Sequence, residues 1–175
     1  MKIAIIGTGN LGLSIAKGLI VNNTYTDLYL TKRNLDDIKD YEEYKSVFIT
    51  SDNVKAIKNA DILIFAVQPS QLESILQKIK PHLNDKHVVI STITGFPISR
   101  IEAQIGSDVP IIRAMPNTAI SVGKSMTCLC HNTIGLKKLP IAEAIFNGLG
   151  TSLTIEESLM QAATVLCASG IAFWM

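Results

Sequence analysis

Charge is scarce in this 175-residue chain: Asp, Glu, Lys and Arg make up 18% of it and nearly cancel, leaving a formal net charge of +1. So little charge beside a hydrophobic content of 47% excludes a disordered segment, which stays unfolded by having the opposite balance. No basic block is dense enough to follow a phosphate backbone, so nucleic acid is not expected as a partner. Cysteine is scarcer still. Three thiols, an odd number, make no disulfide framework and suit a reducing compartment. The first residues hold only a short apolar run, Ile3 to Ile6, without a cleavage site of small residues, and the expectation is a cytoplasmic protein. Also missing are a Ser–His–Asp pattern and a glycosidase-like carboxylate pair. Cys128-Leu129-Cys130-His131 lacks the second ligand pair that zinc needs, and strand alternation puts both thiols on one buried face. No metal is expected. His82 and His87, flanking a polar loop, are expected to face solvent.

Linkers and internal repeats are absent too, and what remains is apolar runs punctuated by turns. Strands are expected at Ile3 to Ile6, Asp27 to Thr31, around Phe48, Asp61 to Val67, Val88 to Ile93, Val109 to Ala114 and Ser125 to Cys130. Helices are expected at Leu11 to Val21, Asn53 to Lys58, Gln71 to Ile79, Ile98 to Ile105 and Leu139 to Leu149. Strands alternating with helices imply an α/β fold, a doubly wound and mostly parallel sheet with right-handed crossovers, over residues 1–150. From Leu159 to Met175 the chain is nearly all apolar or small, closing on Phe173-Trp174-Met175. Gln161, Thr164, Cys167 and Ser169 dilute it below the ~20 apolar residues of a membrane span, so no membrane is expected. Residues 151–175 read instead as the start of a helical domain, with the rest of its packing beyond Met175 or on another subunit.

Gly7-Thr8-Gly9-Asn10-Leu11-Gly12 fits G-x-G-x-x-G and sits between a predicted strand and a predicted helix. In such a turn Gly7 permits the tight bend, Gly9 lets the backbone approach a pyrophosphate, and Gly12 lets helix and strand pack closely. The helix N-terminus adds unpaired N–H groups and a partial positive charge. A glycine-rich turn without a ligand is the bland alternative, and the strand–turn–helix context favours a dinucleotide. An NAD site usually ends its second strand on an acid that bonds the ribose 2′-OH. Here that place holds Thr31-Lys32-Arg33-Asn34, two cations and a hydroxyl suited to a 2′-phosphate, with the planar Arg33 fork as the better ligand. NADP(H) is therefore expected over NAD(H).

Further motifs follow in order. Asn53 precedes Ala60-Asp61, which leads into Phe65-Ala66-Val67-Gln68-Pro69; then come Ile90-Ser91, Gly95 and Arg113-Ala114-Met115-Pro116-Asn117-Thr118. Cys167-Ala168-Ser169-Gly170-Ile171-Ala172-Phe173 comes last. Together they resemble the pyrroline-5-carboxylate reductase family, whose R-x-M-P-N-T is the most specific match. Three positions depart from it: Gln68 stands for Lys in Ala-Val-Lys-Pro, and Ile171 and Phe173 stand for Pro and Tyr in S-G-S-G-P-A-Y. The resemblance implies cofactor contacts at Asn53 near the adenosine ribose, along Ala66, Val67, Gln68 and Pro69, and at Met115, Pro116, Asn117 and Thr118 beside the nicotinamide. Physically, the Ala66–Pro69 loop leaves the C-terminal end of a central strand, where open α/β sheets bind ligands. Gln68 keeps hydrogen bonding but loses the Lys charge, and Asn53 has a competing use as a helix cap.

The resemblance further implies NADPH-dependent reduction of the C=N bond of 1-pyrroline-5-carboxylate to L-proline, a small-molecule imine substrate, and a homodimer or higher oligomer built by a C-terminal helical domain. That domain would also supply the substrate site, so no catalytic residue is assigned here, and the chain alone is expected to be inactive. Other readings stay open: another NADP-dependent imine reductase, a deazaflavin-linked oxidoreductase, or a non-catalytic dinucleotide-binding module.

Overall fold

A computed structural model describes residues 1–169. Eight strands form one sheet: β1 (Lys2–Ile6), β2 (Asp27–Thr31), β3 (Val47–Thr50), β4 (Ile62–Phe65), β5 (Val88–Ser91), β6 (Ile111–Met115), β7 (Ser125–His131) and β8 (Gly150–Thr154). Their order is β3-β2-β1-β4-β5-β6-β7-β8, and β1 to β6 all run parallel. The central strands are buried at every position of β4 and β5, because helices cover both faces. Strand alternation then divides the core. Ile3 and Ile5 meet α1 (Asn10–Val21) and α5 (Leu139–Asn147) on one face. Ala4 and Ile6 belong to the other face, with α2 (Asn53–Lys58), α3 (Pro69–Ile79) and α4 (Ile98–Ile105).

The expected doubly wound architecture is present, with three findings added. The sheet changes direction at β7, which pairs antiparallel with β6. The chain between them, residues 116–124, holds only a 3-10 turn, Thr118–Val122, and parallel crossovers need a dozen residues or more. The sheet also reaches past the expected domain end. β8 pairs parallel with β7 across α5, so residues 151–154 belong to the sheet, and helical structure starts only at Glu157. Its Gly-Thr-Ser-Leu-Thr sequence is half polar because it is a solvent-facing edge, so it carries little apolar alternation. Finally, His87 is buried, not solvent-facing: its Nδ1 accepts from Asn84 N–H at 3.0 Å and its Nε2 lies 3.2 Å from the Ile57 carbonyl.

After β8 come a 3-10 turn (Glu157–Leu159), α6 (Met160–Ala163) and a π-helical turn (Thr164–Ser169). The expectations for Ile171, Phe173 and Trp174 fall outside the described residues. Among the described residues no helix is long and apolar enough to cross a membrane.

Cys128 and Cys130 share one buried face, as alternation predicts. Burial pushes the Cys130 thiol up to about 11 from its ordinary 9, with the negative charge of Glu157 adding to the effect. The folded state thus holds this proton more tightly than the unfolded chain does. Its contribution to stability is complete below about pH 9 and is lost as pH rises toward 11, by on the order of 2 kcal/mol. Denaturant titrations of wild type and Cys130→Ala across that range should show a steeper decline for wild type.

Candidate functional site

The site begins where β1 must turn into α1. Gly7 has φ +94, and a Cβ there would lie 2.5 Å from Val67 Cγ1 and 3.0 Å from the Ala66 carbonyl oxygen. A Cβ on Gly12 would stand 2.2 Å from the Gly7 carbonyl oxygen. Gly9 differs: its φ is −77 and a Cβ would meet nothing within 4 Å, so the space above it is open. Two glycines therefore build the turn, and the third leaves room over it. α1 has no side-chain cap and no acid in its first turn, so its leading N–H groups face that space as bare donors.

Thr31 ties the turn down. Its hydroxyl accepts from Gly7 N–H at 3.1 Å, and its carbonyl accepts from Thr8 N–H and Thr8 Oγ1 at 3.0 and 2.9 Å. Both threonines are buried at the edge of the cavity beside the turn, and the Thr31 hydroxyl, which accepts from Gly7 N–H, keeps its own proton to donate.

A cavity of about 610 Å³ opens beside this turn, at the point where the strand order reverses between β1 and β4. Gly7 and Gly9 floor it; Lys32, Arg33, Asn53, Ala66, Val67 and Gln68 are brought to its walls. Asn53 is not the helix cap, because Asp52 accepts from Val54 and Lys55 N–H at 2.9 and 3.2 Å, which leaves Asn53 facing the cavity. Pro69 does not line it; it is the first residue of α3 and fixes the loop. Lys32 Nζ pairs with Asp37 Oδ2 at 3.0 Å, whereas exposed Arg33 enters none of the ion pairs among the described residues. A bare helix N-terminus, open space over Gly9 and a free guanidinium are what an elongated anionic dinucleotide requires, so the residues fit such a group.

The remaining expected residues lie across the turn. Asn10, Leu11, Pro116, Asn117 and Thr118 line a second cavity of about 400 Å³, while Met115 is buried beneath the loop and Gly12 within α1. Asn117 Oδ1 caps the 3-10 turn by accepting from Ala119 N–H at 3.1 Å, so that oxygen is already engaged.

Sequence reasoning missed several residues. Gln71, Ser74, Ile75 and Lys78 form a wall of the first cavity at helical spacing, one strip over from the buried Leu72, Leu76 and Ile79. A third cavity of about 670 Å³ is bounded by Thr94, Gly95, Arg113 and Glu157, among others. Arg113 is buried on β6; its Nη1 donates to Glu157 Oε1 at 2.8 Å, and its Nε lacks a partner. The same Glu157 oxygen accepts from Ile98 N–H at 2.8 Å, at the start of α4. No group of three or more metal-ligating side chains converges among the described residues.

The chain belongs to the family described as NADP oxidoreductase coenzyme F420-dependent, which matches residues 2–95. Over nearly its whole length it is also similar to pyrroline-5-carboxylate reductases. It is 39% identical to two from Dictyostelium discoideum, covering 98 and 99% of this chain but 34 and 64% of theirs. The solved pyrroline-5-carboxylate reductase of Coxiella burnetii superposes with a TM-score of 0.92 at 32% identity, over 98% of this chain and 65% of that one. The pyrroline carboxylate reductase of Plasmodium falciparum with NADP bound superposes at 0.85 and 28% identity, over 99 and 64%. The chain thus spans less than two thirds of the length of each. The resemblance read from the short motifs is borne out.

The two kinds of glycine predict opposite outcomes. Gly12→Ala should destabilise the fold by about 1–3 kcal/mol through the clash with the Gly7 carbonyl. Gly9→Val should leave stability within about 0.5 kcal/mol and abolish dinucleotide binding. Urea unfolding and a cofactor titration on both variants check the pair.

Proposed function

We propose that the chain carries the cofactor-binding part of an NADPH-dependent reductase that converts the C=N bond of 1-pyrroline-5-carboxylate to the amine of L-proline, in the cytoplasm. The observation that carries this reading is the bare N-terminus of α1 above Gly9, opening onto a cavity edged by Arg33. The similarity to pyrroline-5-carboxylate reductases along nearly the whole chain supports the substrate. Support for NADP comes from the ligand named for the Plasmodium falciparum structure.

In this reading the N–H groups of Asn10 and Leu11 bind the pyrophosphate, and Gly9 admits it. Asn53 and Gln68 contact the adenosine ribose, and Arg33 meets the 2′-phosphate. Met115 to Thr118 hold the nicotinamide against the sheet edge. When bound, the reduced nicotinamide supplies the hydride, and the imine nitrogen takes a proton. A protonated imine is already electrophilic, so the protein's contribution is orientation more than acid catalysis. Residues 1–154 form the cofactor domain, and the helical segment from Glu157 opens the domain that brings the substrate site and the contacts of a homodimer.

The family match over residues 2–95 favours a second reading, a reductase that exchanges hydride with a deazaflavin coenzyme. Assays with pyrroline-5-carboxylate, other cyclic imines and coenzyme F420 as acceptors, run with a protein of the length of the relatives, separate the two. Turnover of F420 alone would displace the proline reading.

Arg33→Ala should weaken NADPH roughly tenfold, the loss of one charged contact worth about 1.5 kcal/mol, and leave NADH unchanged. Fluorescence titration of both cofactors measures it; equal losses would remove the 2′-phosphate from Arg33.

A further inference from the structure

We propose that Asp37 sets how far this site discriminates between a 2′-phosphorylated dinucleotide and its 2′-hydroxyl counterpart, and that it holds the discrimination down. The inference rests on the reading that the first cavity takes the adenosine half of such a cofactor.

The end of β2 carries no acid, which by itself points to a strong preference for a 2′-phosphate. The fold returns one from further along. After Asn34 the chain enters a 3-10 turn, Asp36–Glu43, pinned by Ile38, whose side chain is buried in the core between α1 and the sheet. That anchor turns the preceding residue, Asp37, to the cavity wall beside Lys32, Arg33 and Asn34. Both carboxylate oxygens are held: Oδ2 lies 3.0 Å from Lys32 Nζ, and Oδ1 accepts from Asn34 Nδ2 at 3.1 Å. Asn34 is fixed in turn, since its Oδ1 accepts from Asp36 N–H at 3.3 Å.

Two consequences follow for a ligand. The Lys32 ammonium is already neutralised, so a 2′-phosphate must share it with a carboxylate and sit beside a like charge. A ribose with free hydroxyls gains an acceptor for its O–H groups, the part that an acid at the strand end plays elsewhere. Lys32 and Asp37 therefore offset each other, and Arg33 remains as the cation that favours the phosphate. The site accepts both cofactors, with a preference smaller than Thr31-Lys32-Arg33-Asn34 alone suggests.

The test uses adenosine 2′,5′-bisphosphate and AMP as probes, because they differ only in the 2′ group and need neither the nicotinamide side nor turnover. Titrate both against wild type, Asp37→Asn and Asp37→Ser, with NADPH and NADH alongside. The expected result is tighter binding of the bisphosphate by roughly three- to tenfold in both variants, unchanged or weaker AMP, and a larger gap at low salt than at high salt. In a Lys32→Met background the gain should shrink, since the carboxylate then no longer competes for an ammonium. A structural disturbance would move both probes together and leave their ratio fixed. An unchanged ratio with both probes bound overturns the role of Asp37 while leaving the cofactor site standing. Binding of no adenosine nucleotide by wild type overturns both.

Discussion

The contact on which the rest depends is the one between Gly12 and the carbonyl of Gly7. It sets how near α1 can lie to β1, and so where the first helix N-terminus points. With a side chain at either position the helix would stand off the strand, and its unpaired N–H groups would miss the crevice at the reversal of strand order. The Thr31 hydroxyl and carbonyl hold the turn from the neighbouring strand. The order β2-β1-β4 makes that possible, because it puts the end of β2 on one side of the turn and Ala66-Val67 on the other. Sheet topology and ligand crevice are thus one constraint seen at two scales.

Much of this was legible in the sequence, for physical reasons. α2 and α4 fall where periodicity puts them, and β1, β4 and β5 stand out because a strand covered on both faces is almost wholly apolar, with Lys2 and Ser91 the exceptions at strand ends. β8 was illegible because an edge strand faces solvent and loses that signal. The direction of β7 was hidden for another reason. Apolar pattern says that a strand exists, and the length of the connection decides which way it runs.

The site divides in the same way. The glycine turn announced itself because its residues are consecutive, and the open surroundings of Gly9 set it apart from the two glycines that build the turn. Residues that reach a cavity by folding back left no such mark. Asp37 arrives through a 3-10 turn that folds back to the cavity, and the hydrogen bond by which Thr31 holds Gly7 joins residues 24 apart, which no local pattern shows. Whether Asn53 or Asp52 caps α2 turns on one residue of offset, which sequence pattern resolves poorly.

One carboxylate of the last segment reaches further than its size suggests. Glu157 Oε1 receives both the guanidinium of β6 and the first N–H of α4, and through Arg113 it is the counter-charge of a cation buried in the sheet. Three stretches distant in sequence therefore share a single acceptor. Losing it leaves a buried charge and a helix end uncompensated at the same moment, so the three stretches are coupled through it. The start of the helical segment is thereby tied to β6 and to α4 through a single side chain.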